Sequence, residues 1–576
     1  MFKDLRLLLE KRNYVELLFL LISLLFTNIL EYISIGLIVI YISFLADINL
    51  IIQYIKFEWL KSLIQKYEYK EIIIFSSFGL FFVFLFRNFY LAFNTYLLRL
   101  FSYKLTVRNS RFLFKRYLES PLEKHLESDQ NKIIKIIDGF IYNSCDRIYN
   151  YLVLAREFVM IILISSFIFI YDPLIALLVF SSILLLSVIF ISFIKNKIRT
   201  KSIKAQENDI GRVKIITQLF KTIKEIKVYN LEKIIFDNFS QRLKVVEKHR
   251  LFFNFINAIP RLYLELLAIT GILGLCILFM YLDKPYDNLI PILSFIAVSA
   301  TRLIPSFQLI STSLNVLNNT KIAFETVIEE LKKNNKNYES NYHNQNKIKN
   351  IKFKSLVFTN INFKYKKNKN FQIEKINFRI NKGDKVCVIG KSGSGKSTIL
   401  SLMVNLLNPT DGQIQLNGDY IRPDRSLSYK SLIGYVSQDI CLIEDTIVNN
   451  ILLGSKNKKI NKTLLNKALN ISKAKEFIDN LEGGINTIIG SDGINLSGGQ
   501  AQRIGLARAL YRDPEILFLD EATSALDPIT EKEIVSNLYR FFKSKTIISI
   551  THRDNFTKIC NKKFKVNNGK LTSLSI

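Results

Sequence analysis

Gly390-Lys391-Ser392-Gly393-Ser394-Gly395-Lys396-Ser397 fits the pattern GxxxxGK[ST] in full. Its glycines let the main chain turn so that consecutive N–H groups wrap an anion at a helix N-terminus. In this pattern Lys396 reaches the β- and γ-phosphates of a nucleotide, and the Ser397 hydroxyl ligates Mg²⁺. Further along, the apolar run Glu515–Leu519 (EILFL) ends in Asp520-Glu521. At a strand end, Asp520 can hold Mg²⁺ through water and Glu521 can polarise an attacking water. Between the two lies Leu496-Ser497-Gly498-Gly499-Gln500, a short stretch of small and polar residues.

These residues need a rigid frame, and the flanking sequence supplies one. The phosphate loop follows the apolar run Lys385–Ile389 and precedes a helical pattern from Thr398, which is the strand–loop–helix context the motif requires. From 351 to 576 short Ile/Val/Leu/Phe runs alternate with helical patterns, which predicts a soluble α/β domain. Residues 333–350 (from KNNKNYES onward) lack an apolar period and read as a solvated linker.

Residues 1–332 are of another kind. Six apolar stretches, 17–46, 72–100, 149–171, 174–194, 251–282 and 288–317, meet the length needed for a membrane-crossing helix, about 20 residues. The third and fourth form a tight pair turned at Tyr171-Asp172-Pro173. The long segments 101–148 and 195–250 are rich in Lys and Arg, which assigns them and both termini to the cytoplasm. Segment 47–71 interleaves Leu50, Ile51, Ile55, Trp59, Leu63 and Tyr67 with Lys56, Glu58, Lys61 and Lys66. It suits either an amphipathic helix at the outer interface or a loop helix packed on the membrane domain.

Hydrophobic residues make up 49 % of the 576, and charged residues 22 %. Averaging a greasy part with a charged one gives such values. The formal net charge of +30 fits cytoplasmic loops between membrane segments and a Lys/Asn/Ile-rich composition better than nucleic-acid binding, so no nucleic-acid partner is expected. The five cysteines are scattered, without CxxC or ligand spacing, and are expected to be reduced packing residues. The first apolar run is far longer than a signal-peptide core and is expected to stay in the membrane.

The LSGGQ stretch resembles the signature of ATP-binding-cassette (ABC) proteins. That resemblance implies roles for further residues. Tyr365 matches the aromatic that stacks on adenine and Gln438 the switch glutamine, a metal and water ligand. Ser524-Ala525-Leu526-Asp527 matches the loop that contacts a partner cassette, and His552 the γ-phosphate sensor. Any one of these has an ordinary structural explanation; the full ordered set does not. The resemblance further implies ATP and Mg²⁺ as cofactors. It also implies that Ser497, Gly498, Gly499 and Gln500 cap a nucleotide bound by a second subunit, either another copy of this chain or a paralogue. Six spans followed by a cassette resemble the exporter class, which carries short coupling helices, here around 121–130 and 216–226, docking near the switch glutamine. The expected architecture is an α-helical membrane domain of six long transmembrane helices fused to an α/β P-loop ATP-binding cassette.

The spans also hold Glu31, Arg87, Arg156, Glu157, Arg261, Glu265 and Arg302. A charge at mid-bilayer costs a few kcal/mol, so it faces a cavity or a partner. Two readings stand for Arg87, Arg261 and Arg302: an anion-binding cavity, or Arg–Glu pairs within the bundle. The stretch Asn257–Glu265 (NAIPRLYLE), with Arg302-Leu303-Ile304-Pro305 and Phe86-Arg87, is similar to the bacterial lipid-linked oligosaccharide flippases. That likeness implies a polyprenyl-pyrophosphate glycan as cargo, the three arginines as its ligands, and the bacterial inner membrane as location. Alternatives are an exporter of another lipid, a peptide or a drug, or an ATP-gated channel or regulator. No peptidase-like Cys/His segment precedes the first span, which weighs against a peptidase-containing peptide exporter.

Overall fold

The computed structural model describes residues 2–46, 68–171, 173–281, 289–333, 351–365, 372–421, 427–453, 460–490, 493–551 and 553–574. Most of segment 47–71 and of the 333–350 linker lies outside the described residues. The chain divides into two compact units, residues 1–119 with 128–336 and residues 120–127 with 337–576.

The first unit is helical. Its long elements are α1 (Lys11–Ala46), α2 (Tyr69–Glu119), α4 (Ile141–Tyr171), α5 (Pro173–Lys221), α6 (Glu232–Tyr281) and α7 (Leu289–Asn319), followed by α8 (Lys321–Lys333). Helices satisfy every backbone N–H and C=O within one segment, as an apolar solvent demands. The face of α2 bearing Phe75, Phe78, Phe82 and Phe89 is exposed, with Phe89 at 72 %. A patch of this size is unfavourable in water and suits lipid. The opposite side packs Leu98, Leu105 and Leu113 against Leu8, Ile141, Cys145 and the α8 residues Ala323, Phe324 and Val327. Pro260 and Pro305 lie inside α6 and α7. Each removes a helical N–H, so a carbonyl one turn earlier loses its partner.

The six expected spans are met only in part. Among the described residues, four helices are long and apolar enough to cross a membrane: Lys11–Ile42, Tyr69–Glu119, Gln130–Ser166 and Glu232–Gly274. Residues 174–194 and 289–317 do fold as helices, within α5 and α7. Many of their side chains lie outside the described residues, so they do not enter that count.

The second unit is the expected α/β domain. Its strands are β1 (Ser355–Lys364), β2 (Gln372–Asn381), β3 (Lys385–Ile389), β4 (Asp411–Leu416), β5 (Asp419–Tyr420), β6 (Ile433–Val436), β7 (Asp445–Thr446), β8 (Ile488–Ile489), β9 (Ile516–Asp520), β10 (Thr546–Ile550), β11 (Lys562–Asn567) and β12 (Lys570–Leu574). A six-stranded sheet runs β12-β11-β3-β10-β9-β6, beside a four-stranded sheet β2-β1-β4-β5. Strands β3, β6, β9 and β10 are parallel, and β9 and β10 are buried along their whole length. Such strands are covered on both faces, which explains their unbroken apolar runs. Residues 120–127 of the Lys/Arg-rich segment 101–148 group with this unit, and their helix α3 (Leu122–Glu127) packs Leu122 against its core.

The cysteine expectation needs correction. Cys387 on β3 and Cys560 before β11 form a disulfide across Cα atoms 6.0 Å apart. The parallel pairing of β11 with β3 brings together residues 173 positions apart, a proximity that cysteine spacing cannot show. Among the described cysteines, Cys145 and Cys441 are free.

Candidate active site

Strand order positions the site. β10 lies between β3 and β9, with Ile550 opposite both Val388 and Asp520. The phosphate loop leaves the carboxyl end of β3, and Asp520-Glu521 closes the carboxyl end of β9. Both therefore stand at one edge of the sheet, where open α/β sheets bind ligands.

Gly390–Ser397 turns through φ +76° at Gly393 and +108° at Gly395, values that favour glycine. At Gly390 a Cβ would come within 2.4 Å of the Val566 carbonyl oxygen. Glycine is thus required for close approach as well as for turning. Helix α9 (Lys396–Met403) starts from Gly395 with no side-chain cap, so its first N–H groups and its dipole are open to an anion. The Ser394 hydroxyl is buried without a hydrogen-bond partner. Lys396 folds back, its Nζ donating to the carbonyls of Gly390 at 2.7 Å and Lys391 at 3.0 Å. An uncapped helix start, an orphan hydroxyl and an ammonium held only by loop carbonyls together fit a polyphosphate. Lys391, Ser392 and Ser397 are exposed at the rim, while Thr398 is buried and its Oγ1 lies 3.2 Å from the Tyr365 hydroxyl. Tyr365 thereby stands beside the loop.

Asp520 is buried, and desolvation together with neighbouring Glu521 pushes its carboxyl up to about 6, with Lys396 opposing. Glu521 adopts φ +48°, an uncommon backbone state for a side-chain-bearing residue. Its N–H donates to the Ile550 carbonyl at 3.1 Å, and its carboxylate accepts from Gln438 Nε2 at 3.3 Å. The Ser397 hydroxyl, the Gln438 amide and the Asp520 carboxylate are oxygen donors of the hard type that Mg²⁺ prefers. His552 lies outside the described residues.

The signature residues occupy a different place. Ser497 caps helix α10 (Gly498–Tyr511) in a reciprocal box with Gln500, at 3.3 Å and 2.9 Å. A Cβ on Gly499 would meet the Ala525 carbonyl at 3.0 Å. Gln502 ties this helix to the 524–527 loop, donating to Ser524 Oγ at 3.1 Å and accepting from Ala525 N at 3.0 Å. Arg553 holds the same loop through the Ser524 and Leu526 carbonyls at 2.6 Å and 3.1 Å. Sequence reasoning singled out neither Gln502 nor Arg553. Their only sequence signal is adjacency to the LSGGQ stretch and to His552.

Residues 373–524 match the ABC transporter family model. This domain is a P-loop ATPase. One relative is the ATP-dependent lipid A-core flippase of Pectobacterium atrosepticum, 42% identical over 198 residues, 34% of each chain. Others are the ATP-dependent permease MDL1 of Candida albicans, 44% identical over 34% of this chain and 29% of that one, and the alpha-hemolysin translocation ATP-binding protein HlyB of Escherichia coli O157:H7, 39% identical over 37% and 30%. The matches span about a third of these relatives' length. The fold is similar to that of a solved bacterial Atm1-family ABC exporter whose structure has ATP bound, with TM-score 0.75 and 18% identity over 97% of this chain and 94% of that one.

Of the membrane arginines, the structure brings Arg302 and Arg87 into one charged cluster and leaves Arg261 outside it. Arg302 reaches Glu31 at 2.6 Å and Glu157 at 3.2 Å. Arg87 bonds Ser34 Oγ at 3.2 Å and lies over the Phe84 ring. Arg261 pairs one turn along its own helix with Glu265 at 2.6 Å, on an exposed face. Intrahelical and interhelical Arg–Glu pairing is therefore present in this conformation.

Two outcomes follow from the cassette geometry. Glu521→Gln should bind ATP yet lose turnover by at least about a hundredfold, the usual worth of a positioned base, as read by phosphate release. Near-normal turnover would remove Glu521 from that role. The raised Asp520 carboxyl also carries a sign. Ionised above pH 6 in the metal-free protein, it costs stability there, and the cost is relieved as pH falls from about 6 toward the ordinary 3.8. Asp520→Asn should raise the metal-free melting temperature at pH 8, with the gain shrinking as pH falls below about 6 and vanishing only toward 3.8, while turnover is abolished.

Proposed function

We propose that the chain is one half of an ATP-driven exporter that works as a homodimer in a bacterial inner membrane, with its cassette in the cytoplasm. In this reading it flips a polyprenyl-pyrophosphate-linked oligosaccharide or a related glycolipid. The carrying observation is that an intact phosphate loop, Asp520-Glu521 pair and signature sit in a chain that follows an exporter fold over 97% of its length. Six crossings, with 174–194 and 288–317 as the fourth and sixth, belong to this reading.

The homodimer has two supports. The signature helix is bonded to the 524–527 loop rather than to the phosphate loop of its own cassette, so Ser497 and Gly499 are free to cap a nucleotide on a second copy. In the other cytoplasmic segment, Phe220, Val228 and Tyr229 around the short helix Ile223–Val228 are about 70 % exposed. Apolar exposure on a cytoplasmic segment suits burial against a partner cassette. α3 already docks within its own unit, where the Glu123 carboxylate accepts from Asn408 N at 3.1 Å.

The cargo rests on the likeness to flippases such as PglK and on guanidinium chemistry, since planar forks suit phosphate oxygens. The relatives named above carry different cargoes by name, so cassette similarity does not choose among them. The pairs made by Arg302 and Arg261 favour a second reading, in which these residues hold the bundle and the exported molecule is another lipid, a peptide or a drug.

Mixing Lys396→Ala and Ser497→Arg chains should restore ATPase activity that both parent dimers lack. Each mixed dimer keeps one composite site free of both changes, so a mixture no more active than its parents rejects the two-chain site. For the cargo, Arg87→Leu, Arg261→Leu and Arg302→Leu should abolish flipping of a fluorescent polyprenyl-pyrophosphate glycan in vesicles at unchanged melting temperature. Loss of flipping together with a large drop in melting temperature assigns the arginines to the fold instead.

A further inference from the structure

Arg302 binds its carboxylates in an incomplete way. Its Nε at 2.7 Å and Nη2 at 2.6 Å both converge on one oxygen, Glu31 Oε2, rather than forming two parallel bonds to two oxygens. Nη1 turns to Ser306 Oγ at 3.0 Å. Nη2 is also 3.2 Å from Glu157 Oε2, an oxygen that is buried without a hydrogen bond. The other oxygen of Glu157 is held by Arg156 Nε at 2.7 Å. One guanidinium thus joins α1, α4 and α7. Arg87 adds a further cation near Glu31, through Ser34, whose hydroxyl donates to the Glu31 carbonyl at 2.8 Å.

Among the described residues three arginines (Arg87, Arg156 and Arg302) face two glutamates, so the cluster there carries one excess positive charge among apolar helices. Such a charge is expensive in hydrocarbon. A phosphate or pyrophosphate group would balance it, and offers the paired oxygens that a guanidinium fork engages best.

We propose that Glu31 and Glu157 are built-in stand-ins for the substrate anion. They occupy the donors of Arg302 in this conformation, and an anionic headgroup must displace them. Entry of the anion thereby breaks the contact joining α1, α4 and α7 and frees these helices to rearrange. An uncharged lipid cannot do so. The inference rests on reading the bundle as the cargo path, and it makes the two carboxylates positioning residues that set the threshold for an anion.

The test uses the full chain in lipid nanodiscs, on a Lys396→Ala background that weakens uptake of pyrophosphate by the cassette. Short-chain prenyl pyrophosphate, the matching uncharged prenol and inorganic pyrophosphate are titrated against the melting temperature. Glu31→Gln and Glu157→Gln should each lower the half-saturating concentration of prenyl pyrophosphate about tenfold, while Arg302→Gln raises it and the prenol curve stays put. Two carboxylate variants are used so that poor folding of one does not decide the matter. Half-saturation equal to or above the Lys396→Ala parent in both folded variants overturns the stand-in role and leaves the cargo reading intact. The same shift for inorganic pyrophosphate, with no preference for the prenyl form, supports the stand-in role and rejects the lipid cargo. Absence of binding by every probe to every variant rejects both.

Discussion

Everything in the cassette depends on three adjacent parallel strands ending at one level. β3 delivers the phosphate loop, β9 delivers Asp520 and Glu521, and β10 lies between them in register. Because these strands are buried among apolar side chains, their carboxyl ends cannot drift apart without opening the core. The local costs of the site are carried by that rigidity. Glu521 sits at positive φ, Asp520 keeps a carboxylate in a desolvated place, and Ser394 leaves a buried hydroxyl unpaired. Each is unfavourable in the resting protein, and the unpaired hydroxyl and the desolvated carboxylate are the two that a polyphosphate and a cation would answer. The site gives up stability in order to be complete only when loaded.

The helical unit poses the reverse problem, since its solvent-facing surface is apolar and its polar groups turn inward. Asn94 donates to Ser23 and Thr27 at 2.7 Å and 2.9 Å, and Asn28 donates to the Arg156 carbonyl at 3.0 Å. Such bonds tie α1 to α2 and α4 without burying a net charge. The Arg302 cluster differs because its charge does not balance. An odd charge adds nothing to a structural clamp, and on the proposed reading it serves a path for an anion.

What the sequence made legible was short-range chemistry. The phosphate loop, the EILFLDE strand end and LSGGQ each pack their function into a few consecutive residues, so type and spacing suffice. The helix–sheet division was legible from composition and period, for the same reason. Contacts that depend on chain topology were not. Cys387 and Cys560 meet only because β11 lies beside β3. Arg302 and Glu31 are 271 positions apart, and nothing near either residue distinguishes Glu31 from Glu265 as the partner. Gln502 and Arg553 resemble ordinary helix and loop residues until the 524–527 loop they hold is placed between them.

The most consequential topological fact concerns residues 120–127. They follow directly on α2, a 51-residue helix whose rise of about 1.5 Å per residue makes it a rod long enough to run from lipid well into water. Yet they fold with the cassette unit, where Leu122 joins its core and Glu123 accepts from the Asn408 backbone. A backbone N–H bond to a carboxylate is a charge-assisted contact, and the Leu122 side chain packs against the same apolar cluster that holds Ile399, Leu400 and Met403 of α9. These lie close in sequence and space to the phosphate loop. The peptide chain passes from α2 to α3 through Ser120 and Pro121 alone.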